Sequence, residues 1–242
     1  MIKVIVCENY DEISKEAAAI VANQINEKPD SILGLATGST PVGMYKELVR
    51  KYNEERVDFS GVSTVNLDEY VGLTGDNDQS YRYFMNENLF NHINIDKTKT
   101  HVPSGISQTP EKECEDYEAL IESLGGVDIQ LLGIGNNGHI GFNEPASDFA
   151  EKTHLVDLTE STINANARFF ESLDDVPKRA ITMGIGTIMK AKKIILMANG
   201  KGKAQIIYDT IYGPVTPEVP ASILRFHPDV TIFVDEEAGS LI

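Results

Sequence analysis

The stretch VDIQLLGIGNNGHIGFNEP, residues 127–145, runs from a short apolar segment straight into a polar, glycine-rich one. The apolar part, 127–132, reads as a buried strand, so the meaning of the glycines decides what kind of sheet protein this is. Gly133, Gly135 and Gly138 have the G-x-G-x-x-G spacing of a dinucleotide-binding turn, and Asp157 follows at nearly the right distance. Such a turn needs its third glycine to lie in a helix whose N-terminus faces a pyrophosphate. Gly141, Asn143 and Pro145 interrupt any helix directly after Gly138, so an irregular loop is expected instead. The loop offers the side chains of Asn137, His139, Asn143 and Glu144 at the end of a strand. Histidine exchanges a proton near neutral pH, and a neighbouring carboxylate can orient it. The plainer alternative is that these groups only satisfy loop backbone.

Outward from the loop, similar apolar runs recur at 2–6, 31–36, 62–67, 153–158, 193–198 and 230–235. Between them lie stripes at helical spacing: Ile13, Ala17, Ile20, Val21 and Ile25; Cys114, Tyr117, Ile121 and Leu124; Ala204, Ile207, Tyr208 and Ile211. Strand and helix in alternation predict an α/β fold of Rossmann-like type, a mostly parallel open sheet with helices on both faces. No linker or repeat divides the chain, so residues 1–242 are expected to form a single domain. Ligands of such sheets sit beyond the carboxyl ends of the strands.

Composition narrows the partners. Lys+Arg 21 against Asp+Glu 37 gives a formal net charge of −16, which opposes non-specific attraction to nucleic acid or anionic lipid. No apolar run approaches the ~18 residues of a membrane span, and the opening MIKVIVCENYDE lacks an export signal. Cys7 and Cys114 make neither a disulfide framework nor a metal-ligand pattern, which fits a reducing, cytoplasmic setting. An anionic ligand must therefore be held by a few local cations.

Three further segments sit where the predicted sheet would bind ligand. GLATGSTP, residues 34–41, passes from a strand through Thr37, Gly38, Ser39 and Thr40 to Pro41, which suits the first position of a helix running on through Met44, Tyr45, Leu48 and Val49. The N–H groups, hydroxyls and dipole of that helix start suit a phosphate, although no nucleoside-triphosphate P-loop motif is present. NLDEYVG, residues 66–72, ends a strand in Asp68 and Glu69, and strand alternation lets only one of them face a given site. Arg168 in NANARFF, with Lys201 and Lys203 in NGKGKA, are the cations to hand. Together these residues predict a small phosphorylated substrate with Asp68 and His139 moving protons. Isomerisation, deamination and hydrolysis all remain open at this point.

The segments LATGSTP, NLDEYVG, GIGNNGHIGFNEP, NARFF and GKGKA, in that order, closely resemble the glucosamine-6-phosphate deaminase family, and the resemblance covers essentially the whole chain. It implies conversion of glucosamine 6-phosphate and water to fructose 6-phosphate and ammonia in amino-sugar catabolism, without a metal or other cofactor. Asp68 falls at the base that works at C2 and C1, His139 at the ring-opening acid/base, with Glu144 in support and Asn137 beside it. Thr37, Gly38, Ser39, Thr40, Arg168 and Lys203 fall at the phosphate site. Some members have aspartate at the place of Asn137, which here can hydrogen-bond but cannot exchange a proton. Allosteric members carry basic residues where this chain has His154 and Val156, together with a C-terminal extension. The resemblance therefore implies a short enzyme not activated by N-acetylglucosamine 6-phosphate and compatible with a monomer.

Overall fold

The structure is a computed structural model that describes residues 2–160, 162, 163, 167, 170, 172 and 175–242. Ten strands are described: β1 (Ile2–Cys7), β2 (Ile32–Leu35), β3 (Ser63–Asn66), β4 (Asp68–Tyr70), β5 (Thr100–His101), β6 (Ile129–Leu132), β7 (His154–Asp157), β8 (Arg179–Thr182), β9 (Lys193–Ala198) and β10 (Val230–Asp235). Six helices accompany them: α1 (Tyr10–Glu27), α2 (Val42–Asn53), α3 (Tyr81–Asn88), α4 (Pro110–Ser123), α5 (Ile185–Ile188) and α6 (Ala204–Tyr212). The helix starts follow local chemistry. Asn9 Oδ1 accepts from Glu12 N at 3.0 Å to cap α1, Ser80 Oγ accepts from Tyr83 N at 3.0 Å to cap α3, and Pro110 opens α4.

Seven strands form one sheet in the order β1-β10-β9-β6-β2-β3-β5, with every pairing parallel. From β2 the chain steps outward to β3 and β5. It then returns to β6 on the other side of β2 and steps the opposite way to β9 and β10. Right-handed crossovers place helices of the two directions on opposite faces, and α1 accordingly packs along α2. The strand order reverses between β2 and β6, which opens a crevice at their carboxyl ends. The central strands β9 and β10 are almost wholly inaccessible, with Ile194, Ile195, Leu196, Ile232, Phe233 and Val234 at 0% exposure. Burying each such side chain stabilises the fold by ~1.5–3 kcal/mol.

The amino ends of the strands carry a different anchor. Asp128, 3% exposed, accepts from Lys28 Nζ at 2.6 Å, Lys192 Nζ at 2.8 Å and Ile32 N at 2.8 Å. One carboxylate thus ties the end of α1 to the starts of β2, β6 and β9. Burial pushes the Asp128 carboxyl up, but the two lysines and the Ile32 N–H outweigh it and hold it below its usual range.

Seven of the ten strands lie where apolar runs predict them. The run at 153–158, however, leaves the main sheet: as β7 it joins a three-stranded antiparallel sheet in the order β4-β8-β7. Its half-exposed residues are those of a strand with one covered face. The strands β4, β5 and β8 have two to four residues each, too few for an alternating pattern to register. Pro41 precedes α2 as its cap residue rather than opening the helix. Replacing Asp128 by Ala should lower unfolding free energy by about 2–4 kcal/mol, because it strands the buried Ile32 N–H and both ammonium groups lose their partner. Denaturant titration checks this, and a change below ~0.5 kcal/mol would mean the anchor is dispensable.

Candidate active site

The crevice at the β2/β6 reversal is where the chemistry-bearing segments meet. The Thr37–Thr40 turn leaves β2, the 133–144 loop leaves β6, β4 follows β3, and the Lys201–Lys203 turn follows β9. Because these strands are parallel and adjacent, all four segments emerge at one edge. Strand alternation separates the two acids as expected. Glu69 turns away and accepts backbone N–H groups from Tyr70 at 2.8 Å, Tyr81 at 2.9 Å and Arg82 at 3.0 Å, so it fixes the start of α3. Asp68 turns toward the glycine loop: a Cβ placed on Gly141 would stand 3.6 Å from Asp68 Oδ2 and 2.9 Å from Thr182 Oγ1. Gly141 also has φ +58, so a side chain there would meet both backbone strain and the Asp68 carboxyl.

The loop is held by its own backbone and by the second sheet. Gly135 N donates to His139 O at 2.9 Å, and Phe142 N donates to Thr182 Oγ1 at 3.0 Å. Asn143 Nδ2 donates to Ile140 O and Met183 O, both at 2.9 Å. The His139 ring lies over Gly135, whose added Cβ would fall 2.3 Å from His139 Cε1. The glycines therefore serve close approach and a sharp turn, and no helix follows Gly138.

His139, Glu144 and Asn137 form one cluster. His139 Nδ1 lies 3.4 Å from Glu144 Oε2, close enough to attract without a well-aligned hydrogen bond. Asn137 Nδ2 donates to the same Oε2 at 2.6 Å, its Oδ1 accepts from His139 N at 3.2 Å, and Thr162 Oγ1 donates to Glu144 Oε1 at 2.8 Å. Partial burial pushes the Glu144 carboxyl up, but His139, Asn137 and Thr162 outweigh that and hold it at about 2. Glu144 is thus an anion throughout the physiological range, facing one ring nitrogen of a histidine that is still partly open to solvent.

Lys203 reaches the same loop, with Nζ donating to Ile134 O at 2.7 Å, and burial pulls its ammonium below the ordinary lysine range. Lys201 is exposed. The amides beside it are taken, since Gly200 N donates to Asp235 and Lys201 N to Glu237. Only Lys203 of this pair is placed for a ligand in the crevice. Arg168 lies outside the described residues. On the far side, Thr37 meets the Tyr81 phenol, which also donates to Tyr70 Oη at 3.2 Å, while the Tyr81 ring stacks on Phe142 at 6.2 Å and 10°. Tyr81, Tyr70 and Thr162 join the site without having stood out in sequence. The Ser80 cap ahead of an aromatic helix start was the available signal for Tyr81. Among the described residues no group of three or more His, Cys, Asp or Glu side chains could hold a metal, and no helix is long and apolar enough to cross a membrane. Both cysteines are free and buried.

A family described as "Glucosamine-6-phosphate isomerases/6-phosphogluconolactonase" matches residues 8–233. The chain belongs to this family. Its similarity within the family is uneven. A glucosamine-6-phosphate deaminase of Clostridioides difficile (strain 630) is 61% identical, with 98% of this chain and 96% of that protein covered. One of Thermoanaerobacter pseudethanolicus (strain ATCC 33223 / 39E) is 60% identical over 99% of this chain and 95% of its own. A solved monomeric glucosamine-6-phosphate deaminase is 50% identical and superposes with a TM-score of 0.96, covering 99% and 100% of the two chains. A 6-phosphogluconolactonase of Thermotoga maritima shares the fold, with a TM-score of 0.76 at 20% identity and coverage of 97% and 99%.

Asp68 is the unusual group of the crevice. It is 6% exposed, and burial together with the neighbouring Glu69 pushes its carboxyl up from 3.8 to about 8. The folded protein therefore holds a proton that the unfolded chain releases near pH 4. Stability must fall as pH rises from about 4 to about 8, where the folded group at last ionises. An Asp68→Asn substitution removes this slope. Its melting temperature relative to wild type should climb between pH 5 and pH 8.5, by about 2–4 °C for every kcal/mol relieved. Parallel melting curves across that range would contradict the protonated, buried state of Asp68.

Proposed function

We propose that the chain converts glucosamine 6-phosphate and water to fructose 6-phosphate and ammonia, with Asp68 and His139 as its proton-transfer groups. The observation that carries this reading is Asp68 Oδ2 facing Gly141 in the same loop that holds the His139–Glu144 pair, at the strand ends that also carry the 37–40 turn and Lys203. Relatives called glucosamine-6-phosphate deaminase, about 60% identical over nearly their whole length, support the same substrate.

The closed sugar has no carbonyl, so a proton must first leave the C1 hydroxyl and another reach the ring oxygen. His139 can do both, because Glu144 stays ionised and faces Nδ1, leaving Nε2 for the sugar. Asn137 holds Glu144 in place and takes no proton itself. In the open aldehyde the C2 proton is acidic. Asp68 removes it while the C1 oxygen gains a proton and the C2 ammonium gives one up, forming an enolamine; Asp68 then returns its proton to C1, which leaves the protonated imine at C2. Water adds to that imine and ammonia departs, giving the ketone of fructose 6-phosphate. His139 carries the ring-opening protons and Asp68 the carbon-bound one, the C2 nitrogen's proton serves the C1 oxygen, water's protons leave with ammonia, and no electron leaves the substrate. The phosphate is assigned to Thr37, Gly38, Ser39 and Thr40 with Lys203, and Arg168 joins them by sequence resemblance.

The high resting pKa of Asp68 suits this substrate. In the free protein at pH 7 the carboxyl is mostly protonated, and the C2 ammonium is the cation that would draw the proton off. Substrates without an amine at C2 lack that cation. The same reading makes the chain a cytoplasmic monomer on free sugar phosphate, with neither nucleic acid nor membrane as partner; the monomeric state named for its 50% identical solved relative supports this. With His154 and Val156 where allosteric members carry basic residues, its kinetics are hyperbolic and indifferent to N-acetylglucosamine 6-phosphate.

Ammonia and fructose 6-phosphate should appear in equal amounts from purified protein and glucosamine 6-phosphate. Asp68→Asn or His139→Gln should cut kcat by about 10²–10⁴-fold while the fold survives. Folded wild-type protein that releases no ammonia would refute the reaction. The pH profile gives an independent check: kcat/KM should rise through a group near pH 8, and in kcat the same limb should move to lower pH because bound ammonium favours the Asp68 carboxylate. A kcat limb shifted upward, or none in kcat/KM, would remove Asp68 from the role of base.

A further inference from the structure

The Thr37–Thr40 turn has no cap of its own. The residue before α2 is Pro41, which has no hydrogen-bonding side chain, and α2 shows no side-chain cap. The missing partner comes from another helix. Tyr10, the first residue of α1, places its phenol oxygen 2.8 Å from Gly43 N, 2.9 Å from Thr40 O and 3.1 Å from Ser39 O. The oxygen accepts from Gly43 and shares its single hydrogen between the two carbonyls. Tyr10 is itself set rigidly: Asn9 Oδ1 accepts from Glu12 N at 3.0 Å, and Glu12 Oε2 accepts from Glu8 N at 2.5 Å. Gly43 is the counterpart of this fit, since a Cβ there would lie 2.2 Å from Ser14 Oγ and 2.9 Å from the Tyr10 ring.

Peptide geometry gives the contact a functional direction. In a planar trans peptide the N–H points opposite to the carbonyl, and the chain has no cis bonds among the described residues. Drawing Ser39 O toward Tyr10 therefore turns Thr40 N–H away from α1. Among the described residues no acceptor takes that N–H. We infer that Tyr10 is a positioning residue for substrate phosphate, an interhelical cap that aims the Thr40 amide of the 37–40 turn into the crevice. This rests on the assignment of that turn to phosphate. It adds a residue from outside the turn, 27 positions before Thr37, whose removal acts on binding rather than on proton transfer.

Tyr10→Phe keeps the ring and deletes the oxygen. It should raise KM for glucosamine 6-phosphate and the competitive inhibition constant of inorganic phosphate by about tenfold each, with kcat within about twofold, as expected for one lost orienting hydrogen bond. Amide hydrogen exchange at Gly43 should quicken in the same variant. Lys28→Met serves as a control, since it weakens the Asp128 anchor at the opposite ends of the strands and should lower melting temperature with KM unchanged. If Tyr10→Phe lowers melting temperature like Lys28→Met but leaves both KM and phosphate inhibition unaltered, Tyr10 is only a brace and the proposal falls. Wild-type protein that turns over substrate but ignores phosphate would overturn the phosphate assignment, and this inference with it. A folded wild type without turnover but inhibited in substrate binding by phosphate would instead sink the reaction and leave the turn's role standing.

Discussion

The hydrogen bond from Phe142 N to Thr182 Oγ1 ties the loop leaving the main sheet to the small sheet at the proposed active site. Thr182 is the register partner of Asp68 across β4 and β8, and Phe142 belongs to the loop that leaves β6 of the main sheet. The Thr182 hydroxyl, together with the Asn143 Nδ2 to Met183 O bond, fixes the buried Asp68 relative to the loop carrying His139. The small antiparallel sheet has little core of its own, formed around Tyr70, Phe142, Leu158 and Ala180. Its purpose in this arrangement is to hold β4 out of the main sheet, so that Asp68 stands beside the crevice instead of pairing inside a layer.

That arrangement is only partly legible in sequence. The long apolar runs at 127–132, 193–198 and 230–235 are parallel-sheet strands because both their faces are covered, and their composition says so. The reversal of strand order between β2 and β6 has no local signature. It arises from which strand each returning chain finds open, a property of the whole topology. For β4 the alternation rule correctly separates Asp68 from Glu69, yet three residues cannot announce a strand or its antiparallel partner. His139 and Glu144 are visible as types in a loop, and Gly135 only acquires its meaning once the ring is seen lying on it. Tyr10 is still less visible: it sits in a helix predicted for its buried stripe, and its role belongs to the polar edge of that helix.

The electrostatic design sets two carboxylates apart by environment. Glu144 has a histidine, an amide and a hydroxyl around it and ionises easily; Asp68 has burial and a second acid next to it and does not. Glu69 softens the conflict by spending its oxygens on three backbone N–H groups, which draw its charge away from Asp68 and toward α3. Leaving Asp68 without a described cationic partner destabilises the folded chain above pH 4, and the Asp128 anchor at the other end of the strands is one of the contacts that offset it.

A net charge of −16 looks hostile to a phosphorylated substrate, but range decides the matter. At physiological salt, exposed charges beyond about 8–10 Å are largely screened, so the surface acids act weakly on a ligand inside the crevice. At the crevice itself stand Lys203, partly desolvated and so more strongly felt, and the oriented amides at the start of α2. The proposed substrate also brings a cation of its own at C2, which the proposed mechanism sets against the buried Asp68. In the proposed binding mode phosphate and ammonium each meet the charge they need at separate ends of one sugar. The bulk acidity then opposes non-specific attraction mainly of extended anions, whose charge repeats over long distances.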